Sequence, residues 1–206
     1  MDIKDFFPSI REEDVLNFFG LMGYNDKVSL ALSYLCCKDG CLPQGALTSP
    51  MLSNTMFYGM DVKLAELALQ EDLSYTRYAD DLTFSGQHIP IVITRTIEAV
   101  AAQNRLWVNR EKTRRSGPKS RKIITGVSIS SGKPTIPRER KRSIRQCAHY
   151  ILTYGLHDHL YHTGSRDLLA GYCLLGELAY WHSIEPENQF VSETSSRLGE
   201  MLKRKD

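Results

Sequence analysis

The sequence of 206 residues lacks the features that mark membrane and secreted proteins. No stretch approaches the roughly 18 consecutive apolar residues of a membrane-spanning helix, and no basic segment followed by an apolar one opens the chain as in a signal peptide. Internal repeats and low-complexity tracts are also missing. The composition, with 42% apolar and 24% charged residues, is ordinary for a globular protein and argues against wholesale disorder. We therefore expect a globular cytoplasmic protein that has no membrane partner.

Cysteine is present in a pattern that excludes two further classes. The five cysteines are odd in number, two of them are adjacent (Cys36 and Cys37), and none shows CxxC spacing. A disulfide framework would use an even number of cysteines, and a structural zinc site would use closely spaced pairs. The cysteines therefore predict a reducing compartment, in agreement with a cytoplasmic location.

The formal net charge of +2 conceals a segregation of charge along the chain. Residues 1–104 contain 7 lysines and arginines against 14 acidic residues, whereas residues 105–145 contain 14 against 2. An acidic block can hold divalent cations, and a basic block with few acidic neighbours can bind a polyanion. This distribution favours contact with nucleic acid over a solvated charged helix face.

Local patterns predict an α+β domain over residues 1–130, a linker over residues 131–136 and a helical domain over residues 137–206. The β-prone runs Ser74–Tyr78 and Leu82–Ser85 predict a hairpin. Other elements are expected as helices over 12–19, 26–37, 49–69 and 89–105, as short strands over 106–108 and 122–130, and as breaks in the helical domain at Gly155, Gly164–Ser165 and Glu185–Pro186.

Two helix starts are marked by capping residues. Ser9 with Glu12 three residues later matches a capping box, which predicts that Ser9 caps the first helix. Asn25 or Asp26 would cap the second helix, because a short side chain with an oxygen acceptor can satisfy a free backbone N–H there.

Three aspartates form the candidate site. Asp80 and Asp81 lie at the tip of the predicted hairpin, and Asp2 lies in a separate strand-like segment. Adjacent strand residues point to opposite faces, so both hairpin carboxylates can serve one site only if the turn bends the backbone. A solvated Asp-Asp turn is the alternative, although the flanking Tyr78 and Phe84 weigh against it. Carboxylates from separate strands are what two-metal phosphoryl transfer requires, which predicts two Mg²⁺ ions, with Mn²⁺ as a substitute.

Three segments carry a resemblance to a known family. They are Asp2–Ser9, Leu42–Ala46 followed by Thr48-Ser49-Pro50, and Tyr75–Thr83, which contains Tyr78-Ala79-Asp80-Asp81. In this order and spacing they resemble the palm motifs of bacterial reverse transcriptases, of the retron type more than of the related group II intron type. The resemblance implies a polymerase palm with an antiparallel sheet, followed by a helical thumb. It also implies RNA-directed DNA synthesis, in which dNTPs are added to a primer 3′-hydroxyl by two-metal nucleotidyl transfer.

The resemblance further implies roles for single residues. The metal ions would be bound by Asp2, Asp80, Asp81 and the carbonyl of Ile3. Lys112 would protonate the pyrophosphate leaving group, and the competing interpretation is a solvated lysine in a basic loop. Phe7 would stack under the sugar and exclude a 2′-hydroxyl, whereas Phe6 suits a core position better. The other implied contacts are Gln44, Gly45 and Tyr78 to the nucleotide, Ile124, Thr125, Gly126 and Val127 as the primer grip, and Arg138, Arg140, Lys141, Arg142 and Arg145 to the nucleic-acid backbone.

The sequence departs from the family because the fingers domain that normally precedes the first aspartate is absent. A fragment of a longer polymerase, or a split enzyme with a separate fingers segment, explains this better than a degenerate remnant, since the motifs are intact. An uncovered face of the palm sheet would then promote association or poor solubility.

The expected partners are an RNA template, a primer, a cognate non-coding RNA and an effector protein, with a role in anti-phage defence. Two alternatives stay open. One is a catalytically inactive module that binds RNA or assembles on a palm scaffold. The other is a different palm enzyme, such as a nucleotide cyclase or an RNA-templated RNA polymerase, which Phe7 disfavours.

Overall fold

The computed structural model describes residues 1–164, 166, 167 and 169–203. Two compact units are present, Met1–Arg115 and Ser116–Asp206. The division falls earlier in the chain than the expected linker at residues 131–136. The short strands after residue 120 therefore belong to the second unit. Ser165, part of one predicted helix break, lies outside the described residues.

The first unit combines a four-stranded antiparallel sheet with helices, so the predicted α+β class is confirmed. The strand order is β2-β3-β1-β4. The elements are β1 (Asp2–Lys4), α1 (Glu12–Leu21), α2 (Asp26–Cys36), α3 (Ser49–Met56), α4 (Tyr58–Gln70), β2 (Ser74–Tyr78), β3 (Asp81–Ser85), α5 (Ile93–Gln103) and β4 (Trp107–Asn109).

Alternation along the strands separates the two faces of the sheet. Ile3 and Leu82 are 1% exposed and pack with apolar side chains of α4 and α5, such as Leu64 and Ile97. Their strand neighbours point to the opposite face, because successive side chains alternate. The aspartates of β1 and β3 thus lie on the face that these two helices do not cover.

The predicted hairpin is confirmed, and its register is set by a two-residue turn. Tyr78 is the partner of Asp81, and Tyr75 is the partner of Phe84. The rings of Tyr75 and Phe84 have centroids 4.9 Å apart. Such a cross-strand aromatic pair stabilises one register over its neighbours.

Two expectations for the helices were wrong. The helix predicted over residues 49–69 is divided at Phe57, which leaves helical geometry (φ −95°, ψ 11°) while its ring lies 5.5 Å from that of Phe6. Ser9 does not cap the first helix, since its hydroxyl donates to the Asp5 carbonyl. Arg11 occupies the capping position, and its amide donates to the Asp14 carboxylate.

The second helix start was predicted correctly. Asn25 caps α2, with its side-chain oxygen accepting from the Val28 amide at 3.0 Å.

The second unit contains a small hairpin and a helical core. Its elements are β5 (Ile123–Ile124), β6 (Val127–Ser128), α6 (Arg138–Tyr154), α7 (Leu156–Thr163), α8 (Ala170–Ile184) and α9 (Gln189–Lys203). Fully buried side chains from three of the helices, including Ile151, Leu178, Trp181 and Leu198, form the core. The predicted breaks at Gly155 (φ +90°) and at Glu185–Pro186 are confirmed. In the described part of the chain, no helix combines the length and apolar character needed to cross a membrane.

Candidate active site

The candidate site is built on the pairing of β1 with β3. Asp2 is the register partner of Asp81, so the two residues lie directly opposite each other on neighbouring strands. Asp80 occupies the turn before β3. The Ile3 amide donates to the Asp80 carbonyl at 2.8 Å, which ties this turn to β1. The backbone therefore brings together the three aspartates that the sequence singled out.

The turn itself has an unusual backbone. Ala79 has φ +51°, in the left-handed region that residues with a Cβ atom rarely adopt. This is the bend between strands that the two adjacent carboxylates need in order to serve one site. A non-glycine residue keeps such a conformation only when its surroundings hold it there.

Negative charge is concentrated at this turn. Burial raises the pKa of Asp81, and the neighbouring Asp80 and Asp2 carboxylates raise it further. Lys112 counters this repulsion, with its ammonium 3.4 Å from the Asp2 carboxylate. The Asp2 side chain is 13% exposed and the Lys112 side chain 65% exposed. Lys112 is thus a solvent-facing cation that contacts a sheltered carboxylate.

The donor set of this site fits magnesium in its chemistry. Carboxylate and carbonyl oxygens are the ligands that Mg²⁺ and Mn²⁺ prefer. In the described ranges, however, no group of three or more His, Cys, Asp or Glu side chains is already arranged around one point. The coordination of a metal ion by the three aspartates therefore stays a prediction.

Phe6 and Phe7 differ as the sequence predicted. Phe6 is 3% exposed and belongs to the core of the first unit. Phe7 is half-buried, with its ring 5.3 Å from that of Phe6. Tyr78, at the end of β2, is 72% exposed. Phe7 and Tyr78 can therefore present ring surface to a ligand, and their nucleotide contacts stay predictions.

The loop that carries Gln44 and Gly45 is held at both ends. Leu42 is fully buried and its amide donates to the Ile10 carbonyl, while the Ser49 hydroxyl donates to the Pro43 carbonyl at 2.8 Å. Gln44 and Gly45 are exposed between these anchors. Gly45 has φ +88°, and a Cβ atom there would meet nothing within 4 Å. Glycine is therefore required by the backbone conformation and not by crowding within the chain.

The predicted primer grip forms a tight hairpin in the second unit. Ile124 pairs with Val127, and both turn residues, Thr125 (φ +46°) and Gly126 (φ +83°), lie in the left-handed region. Positive φ at both turn residues is typical of two-residue hairpins, because the twist of such a turn matches the twist of the flanking strands. The hairpin is confirmed as a structure, and its contact with a primer stays a prediction.

The basic residues at the start of α6 fall into two groups. Arg140 donates to both carboxylate oxygens of Glu177 (2.8 and 3.0 Å), and Lys141 lies 2.7 Å from Glu185. These two cations are engaged in ion pairs of their own unit. The remaining three, Arg138, Arg142 and Arg145, are exposed and line an open groove of about 780 Å³ with Lys141 and His149.

Glu185 organises the second of these ion pairs. Burial opposes its ionisation, but hydrogen bonds from Lys141 and from the Ile136 amide outweigh burial and lower the pKa of Glu185. Lys141 therefore stabilises the second unit through its ion pair with Glu185 and also lines the groove.

A cluster of polar side chains beneath the hairpin turn was not predicted from the sequence. Arg77 is 5% exposed in its side chain and donates to Asp61 of α4, which also accepts from the Tyr75 hydroxyl at 2.8 Å. The available signal was that Tyr75 and Arg77 are two residues apart and share a face of β2. A buried cation on a core-facing position needs a carboxylate partner, and Asp61, whose side chain is 26% exposed, is that partner.

Comparison with known proteins gave consistent matches. The model of the family described as reverse transcriptase (RNA-dependent DNA polymerase) matches residues 1–129. The Retron Ec86 reverse transcriptase of Escherichia coli is 39% identical over 73% of this chain and 48% of its own length. The Retron Mx65 reverse transcriptase of Myxococcus xanthus is 34% identical over 69% and 38%, and the Retron Se72 reverse transcriptase of Salmonella heidelberg is 29% identical over 77% and 44%. The chain thus spans less than half the length of these relatives.

Proposed function

The chain belongs to the reverse transcriptase family, of the retron type, and we propose that it carries out RNA-directed DNA synthesis. The reaction would add dNTPs to a primer 3′-hydroxyl by two-metal nucleotidyl transfer. The observation that carries the proposal is the register of β1 and β3, which sets Asp2 opposite Asp81 with Asp80 in the adjoining turn. One carboxylate from the turn, one from the start of β3 and a third from β1 supply the carboxylates that this chemistry needs.

The three aspartates, with the Ile3 carbonyl, would hold two Mg²⁺ ions. When bound, these ions would lower the pKa of the 3′-hydroxyl and neutralise charge on the leaving pyrophosphate. Burial raises the pKa of Asp81, and the Asp80 and Asp2 carboxylates raise it further. The carboxylates are suited to this task because a bound cation would relieve their mutual repulsion. Lys112 neutralises part of the same charge and would donate a proton to the pyrophosphate.

Residues outside the carboxylate cluster would bind the substrates. Phe7 would select dNTPs by stacking under the sugar, with Gln44, Gly45 and Tyr78 as further nucleotide contacts. The β5–β6 turn, residues 124–127, would contact the primer. The exposed Arg138, Arg142 and Arg145 would bind backbone phosphates in a manner independent of sequence and sensitive to salt.

The share of the relatives' length that this chain spans indicates which partners the chain needs. Because the chain spans less than half of their length, we propose that this chain works with a fingers segment, which belongs either to a longer form of the same protein or to a separate chain. A cognate non-coding RNA would serve as template, and an effector protein would link the product to anti-phage defence. The exposed apolar side chains of the first unit, among them Leu21, Leu35, Leu47 and Met51, leave surface for such an additional segment.

One observation favours a second candidate function. The exposed Arg138, Arg142 and Arg145 line a groove in the second unit, as expected of an inactive module that binds RNA on a palm scaffold without using the aspartates. Such a module would bind RNA in a salt-dependent way, and substitution of Asp80 would leave its binding unchanged.

Primer extension on a primed RNA template tests the two candidates. The wild-type chain, with and without a fingers segment supplied from a retron relative, is incubated with dNTPs and Mg²⁺ or Mn²⁺. We expect incorporation that Asp80→Asn abolishes while RNA binding is retained. No incorporation under any of these conditions, together with RNA binding indifferent to Asp80→Asn, would establish the inactive module instead.

A further inference from the structure

The guanidinium of Arg77 joins the turn that carries Asp80 to two helices of the first unit. Its Nη1 atom donates to the Ala79 carbonyl and to Asn54 Oδ1 of α3, both at 3.1 Å. Its Nε and Nη2 atoms donate to the two carboxylate oxygens of Asp61 on α4, at 2.8 and 2.5 Å. One buried side chain thus makes hydrogen bonds to a turn and to both helices.

Asp61 is itself held in place. It accepts from the Tyr75 hydroxyl at 2.8 Å in addition to the two bonds from Arg77. Burial and the hydrogen bond to Asp61 raise the pKa of Tyr75 far above its ordinary value, so the phenol stays a donor. The guanidinium also lies 5.7 Å from the centroid of the Phe6 ring. A planar fork with five N–H groups suits these several fixed acceptors better than an ammonium does.

The bond to Ala79 falls where the backbone needs support. Ala79 has φ +51°, which an L-residue with a Cβ atom adopts only when other contacts hold it. The next carbonyl along the chain, that of Asp80, accepts from the Ile3 amide at 2.8 Å. The two successive carbonyls of the turn are therefore fixed from different sides, one by Arg77 and one by β1.

We propose that Arg77, held by Asp61, is a positioning residue that keeps this turn in the conformation presenting Asp80 and Asp81 to the metal ions. This inference rests on the proposed function, since it concerns the same carboxylates. Arg77 acts through the Ala79 carbonyl and lies on the helix-covered face of the sheet, so it has no contact with substrate. Partners one step removed from a metal ligand typically change metal affinity by roughly 10–100-fold when they are lost.

Hydrogen exchange of the full chain, measured without metal, tests whether Arg77 holds the turn at Ala79 and Asp80. In Arg77→Lys the positive charge remains, but the fork to Asp61 and the bond to Ala79 are lost. We expect amides of residues 78–82 to exchange at least about tenfold faster, while amides of α5 stay at the wild-type rate. Glu98→Gln is the matched control, because it disrupts a two-point pair with Arg110 in the same unit, where Arg110 is 81% exposed.

Binding of Mn²⁺, followed by the loss of the free-ion electron paramagnetic resonance signal, tests the consequence for the site. We expect Arg77→Lys to weaken Mn²⁺ binding about 10–100-fold and Glu98→Gln to leave it within about twofold. Tyr75→Phe keeps its ring against Phe84 and removes one donor to Asp61, so it should shift both readouts in the same direction by less. This milder variant decides the question if Arg77→Lys does not fold.

The two measurements distinguish failure of this inference from failure of the proposed function. If the amides of residues 78–82 exchange at the wild-type rate in folded Arg77→Lys, Arg77 does not hold the turn and the inference is wrong. Faster exchange with wild-type Mn²⁺ affinity shows a structural contact that does not position the carboxylates, and also overturns the inference. A wild-type chain that binds no Mn²⁺ counts against the metal site, and the exchange measurement still decides whether Arg77 holds the turn.

Discussion

Replacing Lys112 separates two roles that the same side chain can have beside Asp2. As a counter-ion it competes with a metal ion for the carboxylate, so its removal should strengthen metal binding. As a proton donor to pyrophosphate it should contribute to the rate of nucleotide addition. The two roles predict changes of opposite sign in two measurable quantities, which makes Lys112→Met informative.

The structure sets the size of the first effect. The ammonium lies 3.4 Å from the Asp2 carboxylate, but the Lys112 side chain is 65% exposed. Exposed pairs of this kind contribute about 0.2–1 kcal/mol, so Mn²⁺ affinity should rise by no more than roughly fivefold. A proton donor at the leaving group contributes about 10²–10⁴-fold to the rate, so the loss of single-nucleotide incorporation should be much larger than the gain in affinity.

Lys112→Arg distinguishes charge from proton donation. Arginine keeps the positive charge but does not release a proton near neutral pH, so metal affinity should return to the wild-type value while the incorporation rate stays low. Lys119→Met, at an exposed position in the basic segment, is the control for loss of positive charge. If Lys112→Met incorporates nucleotides within about threefold of the wild-type rate, or if Lys112→Arg restores that rate, Lys112 is not the proton donor.

Three further predictions concern the second unit. Glu185→Gln should destabilise it by about 1–3 kcal/mol at neutral pH, because Lys141 and the Ile136 amide lose a charged acceptor. The folded-state pKa of Glu185 is lowered, so the stability it contributes is present above its ordinary pKa of 4.5. That contribution is lost as the pH falls through the lowered pKa. Urea titrations should therefore give a smaller difference in the free energy of unfolding between wild type and Glu185→Gln at pH 3 than at pH 7. An equal difference at both pH values contradicts this prediction. Gly126→Ala should cost about 1–2 kcal/mol, since φ is +83° there, and thermal unfolding equal to wild type would refute the strain. Arg142→Gln should lower the slope of log affinity for RNA against log salt concentration by about one unit. Arg140→Gln should lower the melting temperature and change the affinity for RNA little, because Arg140 is paired with Glu177. If both variants change RNA binding equally, the ion pair with Glu177 does not keep Arg140 from RNA.

The hairpin of Tyr75 and Phe84 and the cap at Asn25 were predictable because they depend on neighbours close in sequence. Alternation of side chains and turn chemistry act over a few residues, so the sequence contains all the partners involved. The break at Phe57 was not predictable in the same way. Its ring packs against Phe6, about fifty residues earlier, and no local pattern reports such a contact.

The candidate site shows the same division. Sequence alone determined the residue types, the oxygen-only donor set and the need for a bend between Asp80 and Asp81, because these follow from composition and strand alternation. The pairing of Asp2 with Asp81 depends on the fold, since strand pairing joins residues far apart in the chain. The fold also decided which cations pair within the protein, because Arg77 and Arg140 meet their carboxylates across elements, whereas Arg142 remains exposed. Charge is a property of the sequence, but its availability to a ligand depends on which opposite charge the fold brings within a few ångströms.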